Sequence, residues 1–72
     1  MIKRGYTDVV KTKNGYVLID SNNTFDRGYE TMVFRCDQDG NVENWLDIDV
    51  AWYTSEEEML VGHVEMIKKW RA

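Results

Sequence analysis

Residues 29–36 read Tyr-Glu-Thr-Met-Val-Phe-Arg-Cys, the longest run of strand-favouring residues in the chain. This run constrains the fold more than any other stretch. Alternation sends Met32, Phe34 and Cys36 to one face, with Glu30 at its end, and Thr31, Val33 and Arg35 to the other, which is the period of a half-buried strand. It is expected to be the central strand, with the Met32, Phe34 and Cys36 face turned to the core.

Turn chemistry places the other elements around it. Tyr6 to Lys11 and Tyr16 to Ile19 are short β-branched or aromatic runs joined through Lys13-Asn14-Gly15, and Asn-Gly between such runs signals a hairpin. Ser21-Asn22-Asn23 breaks the alternation, and residues 24–28 form a loop that Phe25 tucks down. Asp37-Gln38-Asp39-Gly40-Asn41 turns a second hairpin. The fourth strand is then expected from Val42 toward Ile48 or Val50, with Leu46, Ile48 and Val50 on one side and Trp45, Asp47 and Asp49 on the other. A calcium loop aligned on Gly40 fails, because its end positions fall on Arg35 and Leu46 instead of oxygen ligands. Residues 54–58, Thr-Ser-Glu-Glu-Glu, carry a capping box in two registers (Thr54 with Glu57, Ser55 with Glu58), and Lys68, Lys69 and Arg71 stand at the far end, as a helix dipole favours. Leu60, His63, Val64, Met66, Ile67 and Trp70 share one face of that helix, with Met59 alongside. Gly62 costs about 1 kcal/mol in mid-helix relative to Ala, so some group is expected to approach the backbone there.

The expected fold is α+β, a four-stranded, mostly antiparallel sheet in two hairpins with one C-terminal helix packed on one face. It spans 1–72 as a single domain, with 1–5 flexible. The uncovered face would carry Val33 with Val9, Val17 or Ile19, and would be covered by a partner or by a second copy as a homodimer.

Three Trp, four Tyr and two Phe supply large apolar area per residue, which suits one 72-residue domain with no disulfides to staple it. The single Cys36 has no partner for an internal disulfide and reads as a buried, inert thiol, which suits a reducing compartment. No apolar run approaches the ~20 residues of a membrane helix and the first residues lack a signal-peptide pattern, so the expectation is a soluble protein of the host cytosol. The formal charge of −4 is unevenly spread. Asp37, Asp39, Glu43, Asp47, Asp49, Glu56, Glu57 and Glu58 lie in a stretch with no base, which repels a nucleic-acid backbone and disfavours direct DNA or RNA binding unless the basic N-terminal segment acts alone.

His63 sits inside the apolar stripe and needs a polar partner. Glu30 is the expected one, with Tyr53 or a backbone carbonyl as alternatives. A Glu30/His63 pair reads either as a satisfied buried pair or as an acid/base pair of a small enzyme or ligand-binding protein, and the latter needs a cleft. One His and one Cys on separate elements leave a zinc site short of ligands, and no cofactor is expected. Trp45 and Trp52 fall inside the acidic block, where they suit a protein partner better than a stacked base.

Thr24-x-Asp26-x-Gly28-x-Glu30-Thr31-Met32-Val33-Phe34, Asp39-Gly40, Trp45-Leu46, Tyr53-x-Ser55-Glu56-Glu57-Glu58, Gly62-His63 and the late Trp70 resemble a group of small proteins encoded by bacteriophages and prophages. The resemblance covers roughly residues 16 to 70 and implies a source without an activity. The functional expectation is a non-enzymatic phage-type accessory protein that binds a host or phage protein, such as an anti-CRISPR-like inhibitor of host defence. Asp37, Asp39, Glu43, Trp45, Asp47, Asp49 and Trp52 would form an acidic docking surface for a basic partner. The alternatives are the Glu30/His63 enzyme and a virion structural or assembly component.

Overall fold

Four strands and one helix follow in the order β1 (Gly5–Thr12), β2 (Gly15–Thr24), β3 (Gly28–Cys36), β4 (Asp49–Tyr53) and α1 (Glu56–Arg71). The structure is a computed structural model that describes residues 5–24 and 27–71. The expectations for residues 1–4 and for Phe25 lie outside the described residues. The strands form an antiparallel meander, each paired with the next in sequence. The Asn-Gly turn is where the sequence places it, with Gly15 at φ 119°, a conformation that side-chain-bearing residues avoid.

Two strand boundaries differ from expectation. β2 runs on through Ser21, Asn22 and Asn23 because β1 and β3 pair with it from both sides: Asn22 stands between Gly5 and Glu30. Ladder partners on both edges outweigh the poor strand preference of Ser and Asn. The fourth strand is shorter and later than Val42–Val50. After the isolated Cys36–Val42 bridge the chain leaves the ladder, and the Asn44 carboxamide accepts the Leu46 N–H at 3.0 Å, a local bond that competes with strand pairing. Pairing resumes where the Ile48 N–H reaches the Val33 carbonyl at 2.8 Å. β3 and β4 are therefore joined by a loop over residues 37–48, not by a tight hairpin.

The helix covers the face of β3 opposite to the expected one. Val33 stands beside Ile19, Thr31 beside Ser21 and Arg35 beside Val17, and Val17 in turn faces Val10 of β1. Val10, Val17, Ile19, Val33 and Met66 form the core, with Ala51, Ile67 and Trp70 packed on it. Val17, Ile19 and Val33, expected on the open face, are fully buried. Alternation within β3 cannot choose between its faces, since both carry apolar groups. The neighbours decide, because the second face also holds Lys11, Asp20, Asn22 and Glu30. On that face Phe34 and Cys36 are still buried, Phe34 against the edge of the Trp45 ring with centroids 5.1 Å apart.

α1 starts on a split capping box. Ser55 Oγ accepts the Glu58 N–H at 3.1 Å, while Glu58 Oε1 accepts from the N–H and hydroxyl of Thr54. Its buried residues are Met59, His63 and Met66, spaced i, i+4, i+7, with Ile67 and Trp70 beside them. Leu60 and Val64, expected in the stripe, face solvent. Gly62 meets the Tyr53 ring, which occupies the space a Cβ would take. That is the close approach implied by a glycine in mid-helix.

Candidate functional site

His63 is 3% exposed, and its partners are not Glu30. Its Nε2 lies 2.7 Å from Asp8 Oδ2 and its Nδ1 2.6 Å from Ser21 Oγ, which is 2.5 Å from Thr31 Oγ1. The Tyr6 ring flanks the imidazole at 5.9 Å. Carboxylate oxygen only accepts, so Nε2 carries a proton toward Asp8. In the neutral tautomer Nδ1 accepts from Ser21, whose oxygen accepts from Thr31; with both ring nitrogens carrying protons the two bonds run the other way, and each polar atom is matched in either case. Asp8, His63 and Ser21 have the composition of a nucleophilic triad, but Ser21 and Thr31 are 0% exposed beneath the helix, so no substrate reaches the hydroxyl. The string is a polar brace between β1, β2, β3 and α1, buried from Thr31 through Ser21 to His63 and opening to solvent at Asp8. The signal for it was present in the sequence: Ser21 keeps phase with Val17 and Ile19, and Asp8 keeps phase with Val10.

Glu30 belongs to the opposite face of the sheet, in phase with Met32 and Phe34, so strand geometry forbids the Glu30/His63 pair. It is 3% exposed. Arg27 stands 3.8 Å from Oε1, and Oε2 has no hydrogen-bond partner. Among the described residues no group of three or more His, Cys, Asp or Glu is placed to hold a metal ion.

The residues expected to dock a partner separate into two sets. Asp37 is bound into its own turn, its carboxylate accepting the N–H groups of Asp39 and Asn41 and the Asn41 amide. The bonds from Asn41, backbone first and then side chain, hold its carboxyl below the usual range. Asp49 turns to the helix side, where Oδ2 meets Lys69 Nζ at 2.6 Å and Trp70 Nε1 at 3.1 Å. Burial alone would raise its pKa, yet the bonds from Lys69 and Trp70 prevail and lower it. Asp49, expected to face outward, is thus a helix anchor. Asp39, Glu43, Asp47, Trp45 and Trp52 are exposed.

Trp45 and Trp52 lie on one face, the one away from the helix. Trp45 rests on Phe34 and Trp52 is paired beside Glu30, with the half-buried pair Met32 and Val50 between them. Trp45 is 70% exposed, Leu46 73% and Trp52 61%. Val9, itself exposed, belongs to the same face and lies against Gly40 of the turn. The acids do not gather at one edge. The turn at Asp37 follows the Cys36 end of β3, whereas Glu56–Glu58 follow Tyr53, which pairs with Tyr29 at the other end. Glu43 and Asp47 flank Trp45 in sequence. The Cys36 thiol is pushed up by burial, then by Asp37 and Glu43, which leaves it a poor nucleophile.

No protein family, curated protein or solved structure matches the chain. Among the described residues no helix is long and apolar enough to cross a membrane.

Proposed function

We propose that the protein acts by binding another protein through the sheet face that carries Trp45 and Trp52, as a phage-type accessory protein would bind a host or phage target. The observation that carries this reading is the pair of tryptophans more than half exposed on one face, with Leu46 beside one of them and an apolar strip between. Aromatic side chains left in water cost free energy that a partner's surface recovers, and they are the residues on which binding energy concentrates. Asp39, Glu43 and Asp47 give the rim a negative sign, which suits a basic target and steers its approach.

The test is affinity purification from expressing cells, comparing the native chain with Trp45→Ala and Leu46→Ser variants shown to be folded. Proteins retained by the native chain and lost by both variants support the reading. Equal recovery with all three chains would overturn it.

A further inference from the structure

β4 is the last strand in the sheet order, and among the described residues only β3 pairs with it. The Val50 N–H donates to the Asp49 side chain at 2.9 Å, so it is turned away from β3. The two-residue period of a strand then aims the N–H and C=O of both Val50 and Trp52 out of the sheet. Edges of this kind are ordinarily guarded by Lys, Pro or a covering element. The opposite edge has such a guard: Lys11 of β1 shares a cleft with Arg71 of the helix. β4 reads Asp-Val-Ala-Trp-Tyr, with nothing basic in it. Beside it runs an open groove of about 590 Å³, lined by Trp52, Tyr53, Glu57, Glu58, Val61 and Gly62. Trp52 belongs to the face away from the helix, and Val61 and Gly62 belong to the helix. A space that touches both lies along the free edge of β4.

We infer that this edge is closed by a second copy of the chain, β4 pairing antiparallel with β4 about a two-fold axis at Ala51. In that register Val50 of each protomer faces Trp52 of the other, so the Trp52 N–H meets the Val50 C=O and the Val50 N–H exchanges its bond to Asp49 Oδ1 for one to the Trp52 C=O. Val50 and Trp52 also become cross-strand apolar pairs. The charges agree with this arrangement. α1 lies across the sheet from its acidic first turn (Glu56, Glu57, Glu58), which follows Tyr53, to its basic last turn, where Lys69 reaches back to Asp49 of β4 while Arg71 lies toward β1. A two-fold axis at Ala51 sets the acidic turn of each helix on the side of the basic turn of the other. The result is a continuous sheet of two copies that shows the Trp45 face twice.

Sedimentation equilibrium of the full chain, from micromolar to submillimolar concentration, tests this. The expected result is a monomer–dimer equilibrium that weakens with salt, and that Lys68→Glu weakens by about two- to five-fold as a rim charge does. Trp52→Lys should abolish the dimer with the circular dichroism unchanged, while Trp45→Ala leaves the dimer intact. The Trp52 amide should gain hydrogen-exchange protection as the dimer forms. A chain that is monomeric throughout, or a dimer indifferent to Trp52→Lys, overturns the inference. So does a monomer whose Trp52 amide is protected only by a protein captured through this edge. None of these results bears on docking through Trp45, which the affinity purification reads separately.

Discussion

At the scale of single residues, His63 and Gly62 carry constraints that contact geometry explains. Replacing His63 by Ala removes a buried ring and leaves the hydroxyl of Ser21 without its ring partner. The expected loss is about 2–3 kcal/mol, seen as a lower urea midpoint with unchanged slope; an unmoved midpoint would show the brace to be dispensable. Gly62→Ala gains up to about 1 kcal/mol of helix propensity but drives a methyl into the Tyr53 ring, an overpacking that costs about 1–3 kcal/mol. The net should be destabilising. In a Tyr53→Ala background the sign should reverse, so a double-mutant cycle by thermal unfolding isolates the contact. The sequence marked both positions as unusual. It could not name their partners, because Asp8, Ser21 and Tyr53 reach them only once the strands are in register and the helix is laid down.

At the scale of elements, the helix is held at its two ends by different means, and the far end is sensitive to acid. Asp49 anchors Lys69 and Trp70, so Asp49→Ala should cost about 1–2 kcal/mol, discounted for the exposure of Lys69. Its carboxyl titrates below its ordinary value in the folded chain. A depressed pKa means the unfolded chain binds the proton first, so the contribution is complete above the unfolded value of about 3.9 and is lost as pH falls through the folded one. Stability measured from neutral pH downward should therefore fall less steeply below pH ~4 in Asp49→Asn than in the native chain. The helix cap, the Asn-Gly turn and the β3 strand were legible because each is a local pattern. The face of β3 that the helix covers was not, since both faces alternate equally well and the choice rests on Val10, Val17 and Ile19 in neighbouring strands. The start of β4 was hidden for a related reason: residues 42–48 alternate like a strand, and only the side-chain bond of Asn44 shows that they leave the ladder.

At the scale of the molecule, the helix packs on one face of the sheet and the proposed docking would use the other, and the acids divide with them. Asp49 serves the helix side and Asp37 its own turn, whereas Glu43 and Asp47 flank the exposed Trp45 in sequence and, among the described residues, their side chains make no hydrogen bond or ion pair, Glu43 joining the fold only through its backbone N–H to the Arg35 carbonyl. Removing the second pair should leave stability within about 0.5 kcal/mol, as for surface positions without a structural task. Long-range attraction for a basic target would nonetheless weaken, because steering sums charge over the surface and acts on the rate of encounter more than on the lifetime of the complex. A Glu43→Gln, Asp47→Asn chain should therefore associate several-fold more slowly at low salt with the protein recovered by affinity purification, and with a shallower salt dependence. Its dissociation rate should be nearly unchanged, since the tryptophan contacts persist. Asp49→Asn should do the reverse, lowering the unfolding midpoint while leaving the association rate and its salt slope close to native. Stopped-flow tryptophan fluorescence across a salt series separates the two. Equal association rates for the native and Glu43→Gln, Asp47→Asn chains at low salt would assign the loop acids to solubility alone, and a loss of stability in that chain would place them in the fold.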